Sequence, residues 1–164
     1  MISVFTIGHS GHPAPHLVDL LRRHGVVTLV DVRSRPYSKW APQYRREALA
    51  RTLDAEGIEY VFLGRELGGR PDGDEYLGPD GKLDPARRSR ALDFLAGIDQ
   101  LLAVAARGPT AILCAEEDPE GCHRRRLIAP TLRQRDVAVL HIRGDGRVEP
   151  EEPAADEAQL RLFE

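Results

Sequence analysis

Thr110-Ala111-Ile112-Leu113-Cys114-Ala115-Glu116-Glu117-Asp118-Pro119-Glu120-Gly121-Cys122-His123-Arg124-Arg125-Arg126 is the stretch on which the fold turns. Its first five residues form a short, mainly apolar run of the kind that makes a buried strand. An acidic turn with Pro119 and Gly121 follows, and Cys122-His123-Arg124 opens a helical pattern that runs to about residue 135. In open α/β sheets such a junction is where ligands bind, because the strand's carboxyl end meets the free amides of the next helix. Both cysteines of the protein lie in it.

Outward from that stretch, strand and helix patterns alternate. Residues 3–7 read as a strand that breaks at Gly8-His9-Ser10-Gly11, and residues 13–23 place Leu17, Leu20 and Leu21 on one helical face. Residues 26–32 are a near-continuous apolar run, the mark of a strand buried on both faces of a parallel sheet. A helix over residues 44–56, a strand over 58–62, a long helix capped by Asp84-Pro85 through about 107, and a last strand over 137–142 complete the pattern. Residues 63–83, rich in Gly, Pro and Asp, have no periodicity and read as a lid with Gly64, Gly68 and Gly69 as hinges. The expectation is a single α/β domain over residues 1–143, with a mainly parallel, doubly wound sheet of about five strands and helices on both faces. Residues 144–164 read as an acidic flexible tail.

The chain has 164 residues, 41% of them hydrophobic and 30% charged, as in an ordinary soluble domain. No apolar run approaches the roughly 20 residues of a membrane span, and no basic leader with a small-residue cleavage site precedes the first strand. A cytoplasmic protein with reduced thiols and no membrane partner is expected. The net charge of −3 conceals a tail that holds seven acids against two bases from residue 145 onward, which leaves the body mildly basic.

Four ordered motifs together resemble the bacterial domain of unknown function 488 family: Thr6-Ile7-Gly8-His9-Ser10, Leu29-Val30-Asp31-Val32-Arg33-Ser34-Arg35-Pro36, Leu67-Gly68-Gly69, and Leu113-Cys114-Ala115-Glu116 leading to Cys122-His123-Arg124. The resemblance implies a compact α/β fold with a site, and no settled reaction. A looser similarity is to the rhodanese and low-molecular-weight phosphatase architectures. Those place an arginine six positions after the nucleophilic cysteine, where this chain has Glu120 after Cys114 and Ile128 after Cys122, and the acidic turn would repel phosphate or sulfate.

In a parallel sheet all strand carboxyl ends share one edge, so His9, Ser10, Asp31, Arg33, Ser34, Glu116, Cys122, His123 and Arg124 should converge there. Cys122 at a helix start is either a thiolate able to act as nucleophile, redox thiol or metal ligand, or simply a small buried residue. Cys114 reads as core. Glu116 and Arg124 form either a buried ion pair bracing the loop or, functionally, a general acid or base beside an anion-binding guanidinium. His9, Cys114, Glu116, Cys122 and His123 are all ligand types for zinc or iron, but Cys-x7-Cys-His matches no recognised ligand spacing, so no metal is assigned, and the cofactor is left unknown. His12, His16 and His24 read as solvated.

Residues 33–46 interleave five cations with three aromatics, Arg35, Tyr37, Lys39 and Trp40 among them, a combination that suits nucleic acid or nucleotides as readily as an exposed loop whose rings pack back on the body. At the extreme end, Gln159-Leu160-Arg161-Leu162-Phe163 looks like the pentapeptide by which bacterial replication and repair proteins dock on the sliding clamp, with Gln159 at the pocket rim and Leu160, Leu162 and Phe163 inside. The bland alternative is that these side chains cap the domain itself. The expectation is therefore a small enzyme whose crevice uses Glu116, Cys122, His123, Asp31 and His9 on a nucleic acid or nucleotide-like anion; its alternative is a non-catalytic nucleic-acid- or protein-binding module.

Overall fold

The apolar runs become the strands. In the computed structural model, which describes residues 2–151, the chain passes in order through β1 (Ser3–Gly8), α1 (Ala14–Arg23), β2 (Thr28–Asp31), α2 (Arg46–Ala55), β3 (Glu59–Phe62), the one-turn α3 (Gly64–Leu67) and α4 (Pro85–Arg88), α5 (Leu92–Ala105), β4 (Thr110–Cys114), a π turn (Arg124–Ile128), α6 (Ala129–Gln134), β5 (Ala138–Ile142) and β6 (Val148–Pro150). The sheet order is β3-β2-β4-β1-β5-β6. The first five strands are parallel, and β6 pairs antiparallel with β5. The sheet thus has six strands rather than about five, and it continues past Arg143.

Every residue of β2 and β4 is buried, which is why their sequences are apolar without alternation. Alternate side chains serve opposite faces. Val4, Val30, Ile112 and Val139 pack with Phe94, Ile98 and Leu101 of α5 and Leu132 of α6. Ile7, Leu29, Leu113 and Ile142 pack with Leu17, Leu20 and Leu21 of α1 and Leu49 and Leu53 of α2. Burying each such large side chain stabilises the fold by about 1.5–3 kcal/mol. β1 and β4 are neighbours whose following helices lie on opposite faces, so the chain parts between their carboxyl ends and a crevice opens there.

One helical expectation needs correction. The long helix over 84–107 is broken into α4 and α5, because Arg88 is completely buried and its guanidinium donates to Glu66 O (2.8 Å) and to both carboxylate oxygens of Asp93 (2.9 and 3.1 Å). Residues five apart point different ways on one continuous helix, so only a break lets Arg88 and Asp93 meet. Two glycines of the 63–83 segment are closely packed. A Cβ on Gly64 would lie 1.9 Å from Arg33 O, and one on Gly68 2.1 Å from Ser34 Oγ; they are glycines because the backbone packs against the β2 exit. His16 and His24 are not solvated. Each is hydrogen-bonded from α1 to the β5–β6 turn, at Gly144 O (2.7 Å) and Gly146 O (3.0 Å). No helix among the described residues is long and apolar enough to cross a membrane.

Candidate active site

Past their last paired residues, β1 and β4 stay together: His9 N–H donates to Cys114 O (3.1 Å) and Ser10 N–H to Ala115 O (2.8 Å). Gly8 permits this, since a Cβ there would sit 1.6 Å from Glu116 O. The acidic turn then reverses. Gly121 takes the left-handed conformation (φ 82°), and Cys122 N–H donates to Pro119 O (3.1 Å). The reversal brings Cys122 Sγ to 2.8 Å from Cys114 Sγ. Cys114, expected to be plain core, is half of a thiol pair.

Arginines fix the turn from both sides, and not as expected. Arg124 is fully buried and donates to the main-chain carbonyls of Glu116 (2.9 Å) and Glu117 (2.6 Å), so the expected Glu116–Arg124 ion pair is absent. The carboxylate that is paired belongs to Glu117. It accepts from Arg143 Nε (2.9 Å) and Nη2 (3.0 Å) and from Gly144 N–H (2.8 Å), and the arginine holds it down at about 2.

His123 completes the thiol site. With Nε2 3.1 Å from Val32 O, the ring donates from that nitrogen, which leaves Nδ1 as an acceptor 3.8 Å from Cys122 Sγ. The Cys122 thiol is pulled well below its ordinary range, first by the hydrogen bond from Cys114 and then, against the cost of burial, by His123 and the Arg124 amide. Cys114 moves the opposite way, its proton held by the bond to Cys122 and by burial. The helix expected to begin at Cys122 starts instead as the five-residue π turn and continues as the six-residue α6. Thiol and imidazole neighbours thus supply most of what had been ascribed to a helix end.

Both cysteines, buried as they are, line a cavity of about 440 Å³ together with His9, Arg33, Glu116 and His123 and the exposed Arg35, Tyr37 and Arg70. That volume lies in the range of small-ligand sites. Among the described residues Glu116 is the only acidic one lining the cavity. Asp31 does not reach the cavity. It is fully buried and accepts from Arg33 Nε and Nη2 (2.8 Å each), from Arg33 N–H (3.1 Å) and from the Tyr60 hydroxyl (2.5 Å). Its geometry is that of a group aiming Arg33 rather than moving protons. His9 is stacked on Tyr44 at 4.4 Å and depressed to about 4 by burial. Its Nδ1 donates to Ser10 O (2.7 Å) and its Nε2 accepts from Arg33 Nη1 (3.3 Å), so the neutral ring has no free lone pair.

Ser34 lines the cavity, and its Oγ accepts from Arg70 N–H (2.9 Å). Ser10, Lys39, Trp40 and Arg124 lie outside the wall. Of the three aromatics of the basic loop, Tyr44 packs back and is fully buried, whereas Trp40 is 89% and Tyr37 68% exposed, with Arg45 stacked 4.5 Å from the Tyr37 ring centre. Sequence reasoning missed Arg70, whose only signal was its position after Leu67-Gly68-Gly69, and Cys114 as a partner of Cys122. Among the described residues no cluster of three or more metal-ligating side chains occurs. Gln159, Leu160, Leu162 and Phe163 lie outside the described residues.

A mainly parallel α/β domain with a cysteine–histidine site at its carboxyl edge is the class that fold and site define. The family described as "Domain of unknown function DUF488" matches residues 14–130, and the chain belongs to it. Comparison with curated proteins finds no match, and neither does comparison with solved structures.

Proposed function

We propose that the chain is a thiol-dependent enzyme acting on a nucleic acid or nucleotide-like anion, with Cys122 as nucleophile. The observation that carries this reading is the placement of Cys122 Sγ, 2.8 Å from Cys114 and 3.8 Å from His123 Nδ1, in the wall of a cavity rimmed by Arg35 and Arg70. His123 takes the thiol proton and returns it to the leaving group, and the Val32 carbonyl fixes its tautomer. Arg35 and Arg70 attract the anion. Glu116 exchanges a proton with water in the second half of the reaction. Exposed Tyr37 and Trp40 offer bases a stacking surface worth about 1–3 kcal/mol per base. The cytoplasm suits such a site because thiols stay reduced there. Docking of the 159–163 pentapeptide on a sliding clamp belongs to the same reading and is supported by its sequence alone.

Trp40 is the only tryptophan, so its fluorescence reports on this mouth directly. Titration with nucleotides and single-stranded oligonucleotides should quench it, and Arg35→Ala should weaken the effect. Chromatography of the same mixtures should reveal product from the native chain and none from Cys122→Ser, which should still bind. Equal product from both would remove Cys122 from the chemistry. Binding without product from either would favour the non-catalytic module.

A further inference from the structure

The thiol pair supports a second activity. We propose that Cys114 and Cys122 form a dithiol–disulfide couple that exchanges two electrons with a low-molecular-weight, carboxylate-bearing disulfide entering the cavity. The inference shares with the functional reading only the nucleophilic Cys122, and it holds whatever other substrate the site takes.

Three observations carry it. The sulfurs are in direct contact at 2.8 Å, so no large rearrangement separates the dithiol from the bonded pair. The two partners are inequivalent: Cys122 has His123 beside it to take its proton, whereas Cys114 has only Glu116 O, at 3.7 Å, and Cys122. Such a division gives one attacking thiol and one resolving thiol. Finally, both cysteines line the cavity that the exposed Arg35 and Arg70 also line, so an anionic disulfide is drawn toward them and not merely admitted.

The chemistry balances. The Cys122 thiolate attacks one sulfur of the external disulfide, a mixed disulfide forms, and the first external thiolate leaves and takes up a proton. Cys114 then attacks Cys122 Sγ and displaces the second external thiolate, which takes up the proton that Cys114 gives up. One external disulfide becomes two thiols, and the chain's two thiols become one disulfide. Running the steps backward with excess external thiol restores the dithiol.

Oxidised glutathione is a suitable probe. The reduced full-length protein is incubated with it near neutral pH, quenched in acid, alkylated and weighed by mass spectrometry. The native chain should lose two hydrogens, carry no glutathione and resist alkylation at both cysteines. Cys114→Ser should stop at one glutathione on Cys122, and Cys122→Ser should react at least about tenfold more slowly. Native protein that stays fully alkylatable, or that accumulates the same glutathione adduct as Cys114→Ser, would overturn the couple. That result comes from the native chain alone, so it stands even if a variant fails to fold. Because Trp40 quenching by nucleotides is read separately, failure of the couple and failure of the nucleotide reading are distinguishable.

Discussion

Replacing Asp31 with asparagine keeps the shape of the side chain and removes its charge, leaving the Arg33 guanidinium buried without a counter-ion. In the native chain the pair shares two side-chain bonds of 2.8 Å, with Arg33 7% and Asp31 0% exposed. Removing one member of such a buried pair costs about 3–5 kcal/mol, because the other charge stays desolvated and unpaired. For a domain of this size each kcal/mol corresponds to about 2–4 °C, so the melting temperature should fall by roughly 6–20 °C. Scanning calorimetry on Asp31→Asn measures the drop, and the double variant Asp31→Asn, Arg33→Met should recover part of it, since no lone charge then remains. A single variant that melts within about 2 °C of the native chain would refute the assignment of Asp31 as a positioning residue and return it to the list of proton-transfer groups.

Cys122 should alkylate faster than Cys114, and its rate should level off at lower pH than that of a free thiol because its thiol is held below its ordinary range; a rate that still climbs toward pH 9 in the manner of a free thiol would contradict this. His9 is depressed to about 4 by burial, so between its ordinary range near 6.5 and about 4 the unfolded chain binds the extra proton, and stability should fall as pH falls through that window. Urea melts of the native chain and His9→Gln at pH 7 and pH 5 test this, and an unchanged pH dependence in the variant would count against it. A peptide of residues 154–164 should bind sliding clamp with a dissociation constant on the order of micromolar, and exchanging Leu162 and Phe163 for Ala should abolish binding without lowering the domain's melting temperature; lost stability without clamp binding would place the tail against its own domain.

β2 and β4 were legible because strands covered on both faces must be apolar throughout, and Val26–Val32 and Thr110–Cys114 carry that mark without help from distant residues. The location of the site followed from the same inference, since parallel strands put His9, Arg33 and Cys114 at one edge. What each polar group does there was not legible. Asp31 reads the same whether it faces a cavity or Arg33, and the difference is set by Tyr60, which approaches it from the neighbouring strand. Arg124 has Glu116 and Glu117 carboxylates within reach in sequence, yet it caps their carbonyls, while the Glu117 carboxylate is taken by Arg143. The Cys114–Cys122 contact depends on one left-handed residue, Gly121, whose conformation no periodicity announces.

The π turn at Arg124–Ile128 has a geometric result of its own. A wide turn accommodates about one residue more than an α-helical turn, and one residue corresponds to roughly 100° of rotation about the axis. Side chains ahead of the turn are therefore out of phase with those of α6 by about that angle. Arg124, Leu127, Ile128 and Leu132 are all buried while Arg126 remains outside. Deleting one residue from this segment would reset the phase like a slipped gear tooth, leaving α6 seated and swinging Cys122 and His123 away from β4. The wide turn thus lets one stretch of chain satisfy two unrelated angular demands, that of the core and that of the thiol.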